Sequence, residues 1–390
     1  MIGLVFSCYP IAASISSPLI GKYLGYLGRK RMLFVGCCCN TLAMIGFGCI
    51  PYMNKHGFLS ISILARLLQG FGAGCIGTSS FAIVAARYPD KMETMMGFMQ
   101  TASAVGFMLG PLFGSVLYSI GGFSFLFFTY SLIFLLFLPF FCVMIQKDEK
   151  YFKPDNNIKT MDFIKVYPAI LDLILVVLAA ACLSFLNPTL ADHLETYNIH
   201  IVVAGIIFTL PTLSYIVVVI AIKYIHIERK AIMALGLFTI GLACIEIGPW
   251  KYSGLPHNLG IVIVASITFG IGYASSIIPS LPDMIDSSQT LLSQYEHQQV
   301  SDFISGILNF GFFAGEMIGP PLAGVLRDNI GFENSEAAIS LVLFLYIGIF
   351  VYFTKSFKCK VYEESVSPIM KSKVDVPYDT VALEDNSVNP

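Results

Sequence analysis

The chain has 390 residues, 56% of them hydrophobic and 12% charged, with a mean hydropathy of +0.76. A soluble protein of ordinary composition carries about twice that charged fraction, and a net charge of −2 offers no basic face for phosphates. Water-soluble enzymes, disordered chains and nucleic-acid binders are excluded together, which leaves an all-α, polytopic membrane bundle.

A helix needs roughly 20 apolar residues to cross the hydrocarbon layer. Eleven spans are expected, at 2–23, 32–53, 59–86, 95–120, 123–145, 166–190, 201–224, 231–247, 259–278, 303–326 and 337–353. The apolar runs are continuous rather than alternating, which excludes a membrane β-barrel. Nine cysteines fall inside spans and Cys359 follows the last, with no CxxC pair. They are expected to be small lipid- or core-facing residues, and no metal or cofactor is expected. The histidines fall in loops or at their edges, so no buried histidine relay is expected.

Positive charge sets orientation. With the loop after the first span placed inside, 19 Lys and Arg fall on inner segments and three, Lys55, Lys251 and Arg327, on outer ones. The C-terminal tail is then cytosolic and Met1 outside. An internal repeat bears on that placement. Gly106-Phe-Met-Leu-Gly110-Pro111-Leu-Phe-Gly114 in the fourth span matches Gly311 to Gly324 in the tenth, with Gly110-Pro111 and Gly319-Pro320 209 residues apart. The Gly-Pro span is fourth of five in the first half and fifth of six in the second. Basic loops show the same offset: Arg29-Lys30-Arg31 follows the first span, Arg229-Lys230 the second of its half. The expected organisation is therefore a five-span bundle at 1–145, a cytosolic loop at 146–165, a six-span bundle at 166–355 and a disordered cytosolic tail at 356–390. It is a six-plus-six parallel repeat lacking its first helix, so the native transcript is expected to extend upstream.

Taken in chain order, the motifs carry chemistry of unequal weight. Gly21, Gly25 and Gly28, followed by Arg29 and Lys30, form a tight basic turn at the inner face. Arg66 and Gln69 lie in the third span, where Arg66 either snorkels to the outer surface or faces the central cavity as a charge partner. Gly72-Ala-Gly74-Cys-Ile-Gly77 satisfies G-x-G-x-x-G, but no strand precedes it, so it is expected to be a packing face rather than a dinucleotide site. Gly106, Gly110 and Gly114 share one helix face suited to close backbone packing, and Pro111 weakens the helix where a bend is useful. Asp172 and Glu246 are expected at interfaces. Asn187-Pro188 is expected to break the sixth span near its outer end. Glu316, beside Gly319-Pro320 and deep in the tenth span, is the most informative residue. A carboxylate there is expensive unless it takes a proton or finds a partner. Asn309 and neighbouring phenylalanines occupy the inner half of the same span, where aromatic faces suit an ammonium.

The Gly21–Arg31 turn resembles the G-x-x-x-D-x-x-G-R-K loop of the major facilitator superfamily, with Gly25 in place of the Asp. Arg66-Leu-Leu-Gln69-Gly70 resembles its R-x-x-Q-G element, and the Gly106–Gly114 stripe its antiporter motif. Phrases such as Ile2–Tyr9, Phe185–Leu190 and Ser276–Ile285 are similar to the vesicular amine transporters, most closely the polyamine branch. The resemblance implies a proton-coupled antiporter, a small organic cation and protons as its ligands, and a vesicle or other acidic-compartment membrane, or the plasma membrane. The acidic coupling residue of related transporters falls near Asn309 by position, with Glu316 two turns further on, and Asn187 stands where an Asp is typical. A monomer in the bilayer is expected. The competing readings are a uniporter or other small-solute carrier of the same fold and a transport-dead truncation.

Overall fold

The computed structural model describes residues 2–144, 158, 160–195, 197, 199, 201–224, 227–250, 254 and 256–374. Their order is α1 (Ile2–Leu27), α2 (Arg29–Cys49), α3 (Lys55–Arg87), α4 (Met92–Met144), α5 (Thr160–Ile164), α6 (Tyr167–Glu195), α7 (Ile201–Ala221), α8 (Arg229–Ile247), α9 (Leu259–Ile277), α10 (Ser280–Leu291), α11 (His297–Ile330) and α12 (Phe332–Val374). No strand occurs among the described residues. In a bilayer every backbone polar group must be satisfied within its own segment, and helices do this.

Eleven spans are expected from the sequence. Among the described residues eight helices are long and apolar enough to cross a membrane. α1, the first part of α4 and α11 run alongside them but are diluted by glycine, serine and charge. The expected turn at Gly121-Gly122 is present: Gly122 has φ 73°, and it is where α4 departs from helical geometry. The expected break at Asn187-Pro188 is absent, since α6 stays helical to Glu195. Thr189 Oγ1 donates to the Phe185 carbonyl at 2.8 Å in the same turn. Where a tail is expected from residue 356, α12 continues to Val374; residues 375–390 and most of the central loop lie outside the described residues.

α1–α4 form one half and α6–α12 the other, with α11 packed against both α1 and α6. Glycine brings the backbones together in a repeated way. A Cβ added at Gly36 would lie 2.7 Å from the Gly72 carbonyl, and one at Gly236 2.7 Å from the Gly272 carbonyl. The two crossings, α2 on α3 and α8 on α9, use glycines 200 residues apart. Gly72 of the G-x-G-x-x-G string is thus a packing residue. Membrane helices lack a strong hydrophobic drive to associate, so such close approaches supply much of the specificity.

The glycine stripes expected to match do not behave alike. In α11, a Cβ on Gly315 would meet the Val177 carbonyl and the Ala180 Cβ at 2.6 Å, and one on Gly319 the Ala181 carbonyl at 2.6 Å. In α4, nothing lies within 4 Å of such an atom at Gly106 or Gly110, and only Leu126, at 3.9 Å, at Gly114. The expectation of close backbone packing at Gly106, Gly110 and Gly114 is corrected: α6 fills the stripe on α11, whereas the stripe on α4 meets only side chains such as Leu126 and Tyr130 from beyond the Gly122 turn. Gly315→Ala should therefore lower stability by about 1–3 kcal/mol through overpacking, whereas Gly110→Ala should change it by less than about 0.5 kcal/mol. Thermal unfolding of the purified variants in one detergent reads the difference, and equal effects would refute the contrast.

Candidate transport site

The two halves are locked together at the end that carries the basic loops. Gly28, with φ 86°, turns the chain sharply from α1 into α2, which presents Arg29 at the first helical position. Arg29 Nε donates to Asp302 Oδ1 of α11 at 2.8 Å, and a second guanidinium nitrogen lies 2.7 Å from the same oxygen. Arg29 is 5% exposed and Asp302 3%. Arg229, at the start of α8, donates to Glu93 Oε1 of α4 at 2.6 Å and also pairs with Asp286. Arg29 and Arg229 are 200 residues apart, and Glu93 and Asp302 are 209 apart, the spacing of the Gly-Pro pairs. The repeat thus places the same bridge twice, once in each direction across the halves.

Backbone contact reinforces these bridges. A Cβ on Gly21 would lie 2.9 Å from both the Asp302 carbonyl and Gly306 Cα, so α1 and α11 touch main chain to main chain. Gly25 borders a small recess with Lys22, Gln299 and Asp302. Further along α11, Asn309 Nδ2 donates to Ser17 Oγ at 2.8 Å, Thr78 Oγ1 at 3.3 Å and the Gly74 carbonyl at 3.4 Å. Asn309 is 4% exposed, so it fastens α11 to α1 and α3 rather than facing a cavity.

Glu316 lies two turns beyond Asn309 on α11. Glu316 is exposed, yet the Tyr9 hydroxyl of α1 and the Tyr273 hydroxyl of α9 both lie within its electrostatic reach. Tyr9 sets its ring edge-on to Phe313 with centroids 5.8 Å apart, and Tyr273 stacks near Phe269 at 6.4 Å and faces Tyr215 at 6.1 Å. A carboxylate on α11 is thus within electrostatic range of two tyrosine hydroxyls, Tyr9 of α1 and Tyr273 of α9. Arg66 also acts on Tyr9. It is half-buried, donates from Nη1 to Gln69 Oε1 at 3.0 Å and lies 5.0 Å from the Phe47 ring centroid. Of the two readings for Arg66, the inward one fits this placement.

Of the sequence-predicted residues, Arg66, hydrogen-bonded to Gln69, and Glu316 both act electrostatically on Tyr9, while Gly21, Gly25, Gly28, Arg29 and Asn309 tie α1, α2 and α11 together or border that contact. Lys30 takes part in contacts of its own. Gly319 seats α11 on α6, and Pro320 is exposed on a continuous helix. The side chains of Asn187, Pro188 and Pro111 lie outside the described ones. Asp172, expected at an interface, is fully buried, and both its carboxylate oxygens accept from Lys230 Nζ at 3.0 Å. Sequence reasoning missed Tyr9, Tyr273, Glu93, Arg229 and Asp302 as site residues; the 209-residue spacing was the available signal for the acidic pair. No group of three or more His, Cys, Asp or Glu suited to a metal occurs among the described residues.

A helical membrane bundle whose repeat-related ends are tied by paired ion bridges, with a carboxylate on α11 in range of tyrosines from α1 and α9, suits a membrane carrier. The Major Facilitator Superfamily model matches residues 1–290 and again 173–369, and the chain belongs to that superfamily. It is similar to the MFS-type transporter SLC18B1 of Mus musculus, 26% identical over 346 residues covering 86% of this chain and 74% of the relative. It also resembles the synaptic vesicular amine transporter of Bos taurus (25%, covering 99% and 71%) and the vesicular acetylcholine transporter of Torpedo marmorata (23%, covering 98% and 74%). Among solved structures, FucP in the outward conformation shares the fold with a TM-score of 0.67 at 14% identity, covering 90% of this chain and 89% of that one. The human organic anion transporter MFSD10 does so with 0.61 at 16%, covering 89% and 83%. The protein is thus a multi-pass membrane transporter of small molecules and not an enzyme.

Proposed function

We propose that the chain exchanges an organic cation for protons by alternating access, with Glu316 as the shared binding group. The observation that supports this is Glu316 on α11 within electrostatic range of the Tyr9 and Tyr273 hydroxyls, with the Tyr9 ring edge-on to Phe313. A carboxylate ringed by aromatic faces suits an ammonium, which gains from both the charge and the ring quadrupoles. The same carboxylate holds a proton or a cation but not both, so the two compete. Neutralised by either, the site can close at low cost; left ionised and empty, closing it would strand a charge in a low-dielectric interior. That difference forbids the empty return step and couples the two flows. The vesicular relatives favour an amine as solute and an acidic compartment as destination.

Each exchanged proton supplies about 1.4 kcal/mol per pH unit, which is tenfold accumulation. Purified protein in proteoliposomes with an acidic interior should accumulate a labelled polyamine or monoamine, and collapsing the gradient with an ionophore should release it. Uptake indifferent to the gradient would identify a uniporter instead.

A further inference from the structure

Glu336 lies on a different helix from Glu316, inside the C-terminal half. It is the fifth residue of α12, about 6 Å along the helix from its start at Phe332, and it is 0% exposed. Neither carboxylate oxygen has a hydrogen-bond partner of proper geometry. Among the described residues no Lys, Arg or His forms an ion pair with it. The titratable groups that face it from neighbouring helices are the Cys244 thiol of α8 and, through that thiol, Cys182 of α6. An ionised carboxylate in such surroundings costs several kcal/mol without a compensating charge.

One turn above Glu336 on the same helix face is Glu333, and both border the point where a Cβ on Gly248 would sit. Glu333 lines an open cleft of about 410 Å³ together with His193, His257 and Phe332. His257 Nε2 is 3.3 Å from Glu333 Oε1. His193 stacks on Phe332 at 4.3 Å and its Nε2 lies 3.4 Å from the Tyr197 hydroxyl. Burial, with His257 beside it, pushes the His193 imidazole down to about 4. His193 therefore stays neutral in a mildly acidic compartment, and His257 is the imidazole placed to pass a proton to Glu333.

We propose that Glu336 is a second proton-binding site, separate from Glu316, loaded from the outer face through the cleft capped by His257 and Glu333. A proton taken from water by His257 moves to Glu333 and passes from there, through a water molecule entering from the cleft, to form the O–H bond on a Glu336 oxygen as each donor gives up its own proton; no electrons are exchanged. The site lies wholly within one half, so it reports the pH of the outer compartment whichever way the halves are tilted. It stands whether or not the transported solute is an amine.

Infrared difference spectroscopy on purified protein tests this without any transport assay. Glu316→Gln should retain a protonated-carboxyl band between neutral and acidic pH, and Cys244→Ala, which touches only the Glu336 environment, should shift its frequency. Glu336→Gln in the Glu316→Gln background should remove it. His257→Gln and Glu333→Gln should slow the hydrogen–deuterium shift of the band by about tenfold or more. Absence of the band in Glu316→Gln, or a band that ignores Cys244→Ala, overturns the site even where Glu336→Gln does not fold. A band whose exchange is unchanged in both cap variants overturns the route.

Discussion

Glu316→Gln should leave a folded, membrane-inserted protein that no longer concentrates its solute against a pH gradient. The substitution keeps the side-chain volume and removes the carboxylate that we propose a proton and a cation share. With one exchanged proton, wild-type protein reaches tenfold accumulation per pH unit, about 1.4 kcal/mol; the variant should fall to the level of simple equilibration. Affinity for an ammonium should weaken as well, since the rings of Tyr9, Phe313 and Tyr273 contribute only about 0.5–2 kcal/mol each by themselves. Glu316→Asp, which keeps the charge but withdraws it, should retain gradient-driven uptake at lower affinity. Undiminished pH-driven accumulation by Glu316→Gln would remove Glu316 from the coupling step.

The second large effect concerns the locked end. Asp302→Ala leaves the Arg29 guanidinium buried at 5% exposure with its bridge gone. Removing one member of a buried pair costs about 3–5 kcal/mol, whereas replacing both by apolar groups is often neutral. Asp302→Ala should therefore lower the unfolding temperature and shift the population toward an arrangement open at this end. Arg29→Leu with Asp302→Leu should be milder than either single change. Gly25→Cys, beside Asp302, gives the readout: its reaction with a hydrophilic thiol reagent from the basic side should speed up in Asp302→Ala. Unaltered stability and labelling would mean that the bridge does not hold the end shut.

The parts of the molecule readable in its sequence are those written in local periodicity. Apolar runs pointed to an all-helical membrane fold, the gap between the spans ending at 120 and starting at 123 falls on the Gly122 turn, and the Gly-Pro repeat set up an expected relation between two halves. What escaped depends on partners far along the chain. Arg29 stands out as a basic turn residue, but its partner is 273 positions away. Asn309 sits where a coupling acid is typical, and only the approach of Ser17 and Thr78 shows that it is a fastening point. Glu336 was placed just outside the last span because a hydropathy window ends at a charged residue. Its burial depends on Gly248 and Cys244 from another helix. The stripe on α4 looked like the one on α11, yet a stripe cannot tell whether a backbone approaches it or only side chains do.

The paired bridges at the locked end also bear on how the carrier responds to voltage. Arg29 reaches from the N-terminal half to Asp302, and Arg229 reaches from the C-terminal half to Glu93. In these two bridges each half contributes one cation and one anion, so pulling the halves apart displaces no net charge through the electric field. A membrane potential is worth about 2.3 kcal/mol per elementary charge per 100 mV, and these two bridges give it no net charge to act on in that movement. In the proposed cycle the field acts on the carboxylates that bind the proton and the cargo. The electrical sensitivity of that cycle then comes from what is carried rather than from the two bridges that part around it.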